Sequence, residues 1–233
     1  NSTSNTNYNS NIYRVMVKDP TTVVSVNGTP LNTATLVTPG NFYQFSTTQG
    51  NGPNGAVYVE ADKPVMMAQY MVSTGANQCP GVTASGTGDP EMIYISPIEQ
   101  GIDSAVFYNT NENSITSNYI NVVLPTAGLA SLRIDGISTF TDVFAHPYLA
   151  GYSCVRHNLG SAASQHRITS DSTFTAITYG LGSVESYGYN AGTLVKNLNA
   201  LATFSNTLGT VQTDYTCVNA PVKFNLSITV KPT

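Results

Sequence analysis

The feature that most constrains this chain is a long succession of short apolar or alternating runs, separated by clusters of Pro, Gly, Asn or Asp. Such runs, rich in Val, Ile, Tyr and Phe, fit β-strands, because successive side chains of a strand point to opposite faces. Only Leu194–Leu201 could form two helical turns. Strands this short, with a turn about every 8–12 residues, favour a sandwich-like or other antiparallel all-β fold.

Turn residues between the runs set the expected strand bounds. Asn27-Gly28 is a strong hairpin signal, because a type I′ turn needs a positive φ at both central positions. Gly160-Ser161 predicts a second hairpin, between the runs on either side of it. The predicted strands are Ile12–Val17, Thr22–Val26, Phe42–Thr47, Ala56–Glu60, Val65–Val72, Met92–Ile98, Ala105–Tyr108, Tyr119–Leu124, Ser131–Ile134, Thr139–Phe144, Tyr152–Leu159, Gln165–Thr169, Phe174–Tyr179 and Lys223–Val230.

An internal repeat organises these strands. The landmarks Asn27-Gly28, Gly40, Asp62 and Tyr70 return in the same order as Asp135-Gly136, Gly151, Asp171 and Tyr179. The offsets are nearly constant, from 108 (136 − 28) to 111 (151 − 40). The repeat predicts two β-sandwich-like units of about 100 residues. Counterparts of the second unit's opening strands would fall before residue 1, so we expect the first unit to lack them and the chain to be a piece of a longer protein.

The expected domain organisation follows from this repeat. Residues 1–11 are predicted as a linker or loop, 12–75 as the partial first unit and 76–87 as a connecting loop. Residues 88–192 are predicted as the second unit, and 193–233 as a trailing segment that leads to a further β-module. A β-propeller-like arrangement is the alternative, because four-stranded groups with glycine turns also fit it.

Charge and hydropathy limit the ligand classes and the cellular location expected for this chain. Only 9% of the residues are charged and the net charge is −4, so the chain lacks the clustered Lys and Arg that nucleic-acid binding requires. No run of about 18 apolar residues is present, so we expect no membrane span in this segment. A surface of hydroxyls and amides in place of charges is typical of extracellular β-proteins. We therefore expect an extracellular or cell-surface location.

Three carboxylates are the candidates for catalysis or metal binding. Asp89, Glu91 and Glu99 could flank a glycosidic bond, and Asp89 with Glu91 is the weak candidate for a calcium site. Asp89 precedes a proline, however, where a carboxylate commonly caps a turn. We therefore expect these residues to fix the loop structure, with no catalytic residue and no cofactor.

Histidines and cysteines offer a second set of candidates. His146, His157 and His166 fall within 21 residues, and the last two would meet if their strands formed the hairpin predicted around Gly160-Ser161. Strand alternation places Cys154 with Arg156 on one face and His157 on the other, which argues against a Cys/His pair. The odd count of cysteines (Cys79, Cys154 and Cys217) allows at most one internal disulfide, and the pairing stays open.

Several separated motifs identify a family. In chain order they read ADKPVMMAQYM, GDPEMIYISPIEQ, NYINVVLP, LRIDG and FTAITYGLGSVESYGYNAG. Their order and spacing, over about residues 12–192, resemble the C-terminal half of the IgGFc-binding protein N-terminal domain family. The wording SVESYGYNAGTLVKNL is most similar to versions in secreted surface proteins of Bacteroidetes-type bacteria.

The resemblance implies a non-enzymatic extracellular module for adhesion or structural binding within a larger protein. The implied partner is a protein or a glycan on a surface, and immunoglobulin Fc binding is not transferred from the family's name. An exposed strand edge on the incomplete unit would also favour a homo-oligomer or filament by strand addition. The alternatives are a glycan-binding module and a glycan-active hydrolase that uses Asp89, Glu91 or Glu99.

Overall fold

A computed structural model describes residues 11–31, 41–47, 56–71, 87–194, 200–206 and 222–228. The chain divides into two compact bodies, residues 1–194 and 195–233. Strands dominate the described residues, with short 3-10 helices at Ile98–Gln100, Glu112–Ser114 and Thr126–Ala130. The predicted all-β, sandwich-like class is confirmed. Within the described ranges, no helix is long and apolar enough to cross a membrane.

The first body contains fourteen named strands in its described parts. Their bounds are β1 Asn11–Val17, β2 Val24–Val26, β3 Thr29–Pro30, β4 Tyr43–Thr47, β5 Val59–Ala61, β6 Val65–Met71, β7 Met92–Tyr94, β8 Ile102–Asn109, β9 Ile115–Pro125, β10 Arg133–Ile134, β11 Asp142–Ala145, β12 Tyr152–Gly160, β13 Ser164–Gly182 and β14 Ser186–Asn190.

Two sheets are formed by the strands of the amino-terminal part. The amino-terminal sheet has the order β4-β1-β6-β7, and its neighbouring strands are antiparallel. A smaller sheet has the order β3-β2-β5, and in it the Asn27-Gly28 turn joins β2 to β3. Both turn residues have positive φ, 53° and 80°, as the hairpin signal requires.

The central sheet is organised by the 19-residue strand β13. Residues Ser164–Thr169 of β13 pair with β8, and Arg133–Ile134 (β10) pairs on the other side. After a register shift between Thr169 and Phe174, the rest of β13 pairs with β9 and β14. Irregularities of this kind let one strand pass from one layer of a sandwich to the other. The two runs predicted at Gln165–Thr169 and Phe174–Tyr179 are therefore parts of a single strand.

The hairpin predicted around Gly160-Ser161 is wrong. Strands β12 and β13 do not pair with each other, because β9 lies between them and pairs with both. The chain leaves β12 at Gly160 and enters the opposite layer, where the first part of β13 pairs with β8. A local turn signal gives way here to pairing between distant segments.

The main core fills the space between the central sheet and the layer of β8, β10 and the first part of β13. Burial of such apolar side chains contributes about 1.5–3 kcal/mol each. A second cluster joins Met71 of β6 to Tyr119, Tyr179 and Leu181 on the back of the central sheet. The main core consists of Phe107, Ile120, Val122, Leu124, Leu132, Ile134, Val155, Ile168, Phe174, Ala176 and Ala191.

The pairing pattern recurs along the first body. Arg14 lies opposite Ala68, and Val122 lies opposite Ala176, with both numbers 108 higher (122 − 14 and 176 − 68). The sheet order β4-β1-β6-β7 recurs as β12-β9-β13-β14. Backbone register therefore relates the two sheets residue by residue, while the domain bounds expected from the sequence remain predictions.

The two turns that were landmarks of the sequence repeat have the same geometry. Asn27 donates its backbone N–H to the carbonyl of Tyr58 and accepts the N–H of Tyr58 on its side chain, at 2.8 and 2.9 Å. Asp135 exchanges the same two bonds with Arg167, both at 2.8 Å. The layer that contains β2 and β5 therefore matches the layer that contains β10 and the first part of β13.

The second body contains one described strand pair, β15 (Ala200–Asn206) with β16 (Val222–Ile228), in antiparallel register. The predicted strand at Lys223–Val230 overlaps β16. Of the stretch that could be helical, residues 195–199 lie outside the described residues and Ala200 begins a strand. The predicted linker lies almost wholly outside the described residues, and so does the predicted connecting loop apart from its last residue.

Candidate functional site

An exposed groove lies on the outer face of the amino-terminal sheet. Side chains at alternate positions of β1, β6 and β7 share this face, because neighbouring residues of a strand point in opposite directions. The groove encloses about 130 Å³. We call this surface the open face; it is lined by Arg14, Met16, Phe42, Met66, Ala68, Tyr70, Met92 and Tyr94.

The apolar side chains of the open face are unusually exposed. Met66 is 53% exposed and Tyr94 54%, while Met16, Phe42 and Met92 are each near 40%. Contiguous exposed apolar surface on a soluble protein commonly marks a place where another molecule binds. Methionine adds adaptability, since its unbranched side chain fits partners of different shape.

Arg14 lies in the middle of the open face. Its guanidinium is 4.3 Å from the centre of the Phe42 ring and 4.8 Å from that of Tyr70, which are cation–π distances. Its Nε donates to Oε1 of Gln44 at 2.9 Å. Within the part of the chain that the structure describes, Arg14 forms no ion pair with a carboxylate. The guanidinium therefore keeps donors that can bind a carboxylate or carbonyl of a ligand.

The same register positions of the central sheet form a covered face. Met16 and Met66 correspond to Leu124 and Phe174, and Arg14 corresponds to Val122, each 108 residues later. The covered-face residues are between 0% and 3% exposed. Phe107 of β8 packs against them in the main core. The covered face comprises Val122, Leu124, Ser153, Phe174, Ala176 and Thr178.

Strand β8 is fastened in place over the covered face by polar contacts. The hydroxyl of Tyr189 donates to the carbonyl of Tyr108 and accepts the Tyr108 N–H at 2.9 Å. Next to it on β14, the Tyr187 hydroxyl donates to Oδ1 of Asn118 at 2.7 Å. These two tyrosines pin β14 to β8 and β9.

His166 adds a buried polar contact to the same layer. Its Nδ1 is 2.6 Å from Oδ2 of Asp135, and its Nε2 is 3.0 Å from Oδ1 of Asn109, an oxygen that also accepts the Ser164 N–H. Each ring nitrogen of His166 therefore lies within hydrogen-bond distance of a side-chain oxygen. Its ring stacks on Phe107 at 5.2 Å. His166 therefore joins the first part of β13 to β8 and to the Asp135 turn.

The carboxyl group of Asp135 responds to this contact. Burial pushes its pKa up, but the hydrogen bonds from His166 and from the Arg167 N–H outweigh burial and hold the pKa below its usual value. A lowered pKa means that the ionised form is the one the fold favours.

The other two histidines are packed side chains. His146 accepts the Tyr148 N–H on Nδ1 at 3.2 Å and meets the Tyr58 ring edge-on. His157 meets the Phe140 ring edge-on. Burial lowers the pKa of both imidazoles. His157 pairs with β9 and His166 with β8, so the two are not hairpin neighbours, although they are near enough for the charge of His166 to add to the lowering of the His157 pKa.

Cys154 is a free, buried thiol on the back of the central sheet. Burial raises the pKa of this thiol to about 12, which keeps it protonated and unreactive at neutral pH. On β12 it shares a face with Arg156, whose guanidinium forms an ion pair with Asp142. Cys79 and Cys217 lie outside the described residues, so the choice of disulfide partners stays a prediction.

None of the three candidate carboxylates is among the lining residues of the open face. Asp89 accepts the Ser186 hydroxyl on Oδ1 at 2.6 Å and on its carbonyl at 2.8 Å, which ties the loop before β7 to β14. Glu91 accepts the N–H of the next residue, Met92, and Glu99 is exposed in a 3-10 helix. Among the described residues, no three His, Cys, Asp or Glu side chains group so that they could hold a metal ion.

The open face was not predicted from the sequence. Its residues lie in runs such as VMMAQYM that read as ordinary apolar strands. A signal was nevertheless present in the repeat. At an offset of 108, Arg14 stands where Val122 is buried, and Met66 stands where Phe174 is buried. A charged or flexible side chain in place of a rigid core residue indicates that one copy of the face is not covered in the same way.

A family model described as IgGFc binding protein matches residues 2–180. The matched span includes both the open face and the covered face. No curated protein and no solved structure matches the chain.

Proposed function

Because this chain belongs to the IgGFc-binding protein family, we propose that it is an extracellular, non-enzymatic protein-binding module whose open face holds the ligand. The observation that carries the proposal is the contrast between two faces of one register. Apolar positions that are sealed in the central sheet are exposed around Arg14 in the amino-terminal sheet. The sparsely charged composition supports an extracellular setting.

The chemistry of the open face suits a protein ligand. Exposed aromatic rings and methionines offer apolar contact area, and Arg14 offers hydrogen bonds to carboxylate or carbonyl oxygens. Aromatic and arginine side chains commonly dominate the binding energy of protein interfaces. We propose that the module serves adhesion or structural binding within a larger secreted or cell-surface protein, such as the Bacteroidetes-type proteins that the sequence resembles.

A matched pair of tyrosines tests this proposal. Tyr94 on the open face and Tyr108 on β8 are both 54% exposed. Immobilised wild type, Tyr94→Ala and Tyr108→Ala are probed with immunoglobulin Fc and with a panel of mucus glycoproteins before and after deglycosylation. We expect a protein probe to bind wild type, to bind Tyr94→Ala at least tenfold more weakly, and to bind Tyr108→Ala normally. Equal binding by the two variants would reject the open face as the site.

Glycan binding is the second candidate, because Phe42, Tyr70 and Tyr94 lie on one face and rings so placed can stack on sugars. The chain has no Trp, the usual side chain for that contact. A glycan array separates the two candidates, since loss of the glycoprotein signal on deglycosylation would favour the sugar. The hydrolase alternative has little support, because the carboxylate of Asp89 is already held by Ser186.

Self-association by strand addition is a further part of this proposal. Sheet edges left unpaired can take a strand from another copy. Sedimentation of the full chain over a hundredfold range of concentration tests this part. A monodisperse monomer at the highest concentration would reject self-assembly and leave ligand binding untouched.

A further inference from the structure

We propose that the open face is completed by an extended strand of a partner polypeptide, added antiparallel to β5. This strand takes the position equivalent to the one that β8 occupies over the covered face, and we call that position, next to β5, the lane. The inference rests on the proposed function and specifies its ligand. The occupant is a segment with the pattern of β8, in which apolar side chains at alternate positions face the groove.

The filled lane shows what such a strand does. In β8, Ala105 pairs with Ile168 and Phe107 with His166, antiparallel to the first part of β13. Phe107 is 4% exposed and belongs to the main core, and Ile102 and Ala105 pack against that core. Alternate residues of β8 therefore seal the covered face.

Strand β5 occupies the place of the first part of β13 in the other half. Val26 pairs with Val59, as Ile134 pairs with Ile168 about 108 residues later. On the far side of β5 from β2, no strand pairs within the described residues. The position next to β5 is thus the register equivalent of the lane that β8 fills.

Backbone groups of β5 point into this lane. Tyr58 and Asp62, on either side of the strand, turn their backbone groups towards the β2 layer, where they bond Asn27 and Val23. In an antiparallel ladder the intervening odd-numbered residues point the other way. The N–H and C=O of Val59 and Ala61 therefore face the lane.

One end of the lane is closed. The backbone of Val57, next in this odd-numbered series, hydrogen-bonds His146. In the filled half the equivalent position is His166, which stacks on Phe107 of β8. A ligand strand therefore pairs from Val59 onward and lies across the open face.

The open face also sets the chemistry of the occupant. Three apolar residues of the covered face have apolar counterparts on the open face: Leu124, Phe174 and Ala176 correspond to Met16, Met66 and Ala68. Val122, in contrast, is replaced by Arg14. A buried guanidinium needs acceptors. We infer an occupant that alternates aromatic or aliphatic residues with an Asp, Glu, Asn or Gln whose oxygen reaches Arg14.

A labelled synthetic peptide with the β8 sequence, GIDSAVFYNT, is the probe. Its fluorescence anisotropy is measured with the full chain, beside a scrambled peptide and two N-methylated peptides. Each N-methylated peptide carries methyl groups on one alternate set of backbone amides. Strand addition uses only the set that faces β5, so we expect one methylated peptide to bind at least tenfold more weakly and the other to bind normally.

Protein variants locate the lane. Ala61→Pro removes an N–H that faces it and should weaken peptide binding at least tenfold, while Tyr108→Ala should not change it. Circular dichroism of Ala61→Pro confirms that the fold is retained, and Ala61→Gly provides a second edge variant that should bind normally.

The possible outcomes separate this inference from the proposed function. Equal binding of both methylated peptides, lost in Tyr94→Ala, would overturn strand addition and leave the open face as an apolar site. Failure of the β8 peptide to bind, while a protein probe binds through Tyr94, would also overturn it. A dimer that the peptide does not dissociate and that Ala61→Pro abolishes would overturn the separate partner in favour of a second copy.

Discussion

The open face and the covered face have the same backbone register but opposite exposure to solvent. On the covered face Leu124 and Phe174 are within 1% of full burial, whereas the equivalent Met16 and Met66 are 38% and 53% exposed. The strands themselves are alike, so the difference comes from the layer above them. Where β8 lies across the sheet the residues are uncharged and buried; where no β8 equivalent is described, the face carries exposed methionines, aromatic rings and Arg14.

The polar contacts of the two halves differ in the same way. The covered half is fastened by the contact between the buried His166 and the partly exposed carboxylate of Asp135. In the open half, Asn27 stands in the place of Asp135 and Val57 in the place of His166, so the hydrogen-bonded turn is kept and the carboxylate–imidazole contact is absent. The carboxylate–imidazole contact is thus found in the half where β8 is part of the fold.

The largest expected effect tests the comparison in the two sheets directly. Phe174→Ala should lower the free energy of unfolding by about 3–5 kcal/mol, because it leaves a cavity in the main core. Met66→Ala at the equivalent position should change it by less than about 1 kcal/mol. Urea unfolding of the full chain measures both. Similar losses for the two variants would mean that the open face is covered in solution.

The next effect concerns the charge pair of the covered half. Asp135→Asn keeps the shape of the turn but removes the carboxylate that faces His166, and should cost about 1 kcal/mol because the carboxylate is partly exposed. Asp19→Asn is the matched control, because Asp19 forms an exposed ion pair with Lys63. Its unfolding midpoint should move much less. Equal shifts of the unfolding midpoint in the two variants would mean that the contact with His166 stabilises the fold no more than the exposed ion pair does.

A smaller effect is expected in the pH dependence of stability. The pKa of Asp135 is lower in the folded chain than its usual value. Its contribution is therefore fully present above the unfolded pKa, near about 4, and is lost as the pH falls through the folded value. Thermal unfolding from pH 6 downward should show a shallower acid loss in Asp135→Asn than in wild type. Parallel curves would contradict this assignment.

Local patterns in the sequence predicted where the strands lie but not which strands pair with each other. The β-branched runs and the Asn27-Gly28 turn depend on nearby residues, so the predicted strands overlap observed ones, although the run predicted at Met92–Ile98 forms a strand only at Met92–Tyr94. Strands β12 and β13 do not pair with each other, because β9, which is distant from them in sequence, lies between them and pairs with both. The repeat landmark Tyr70 illustrates the limit. By register it is equivalent to Thr178, since Ile12 and Ile120 are their partners, whereas Tyr179 points to the opposite face.

The candidate site was hidden for a related reason. Exposure of Met66 depends on whether another strand covers it, and no residue in its own run encodes that. Methionine and tyrosine in an apolar strand suit a core as well as a binding surface. Comparison of the two repeats position by position was needed to single out Arg14.

Methionine oxidation footprinting tests the central claim most directly, because exposed methionines are oxidised readily and buried ones slowly. Met16, Met66 and Met92 lie on the open face, and Met71 on the back of the same sheet, only 5% exposed, is the internal control. Peptide mass spectrometry of the oxidised full chain reads each site with and without the β8 peptide. The account predicts that the three open-face methionines oxidise at least tenfold faster than Met71 in the free chain and are protected together by the peptide. Slow oxidation of all four in the free chain would contradict it.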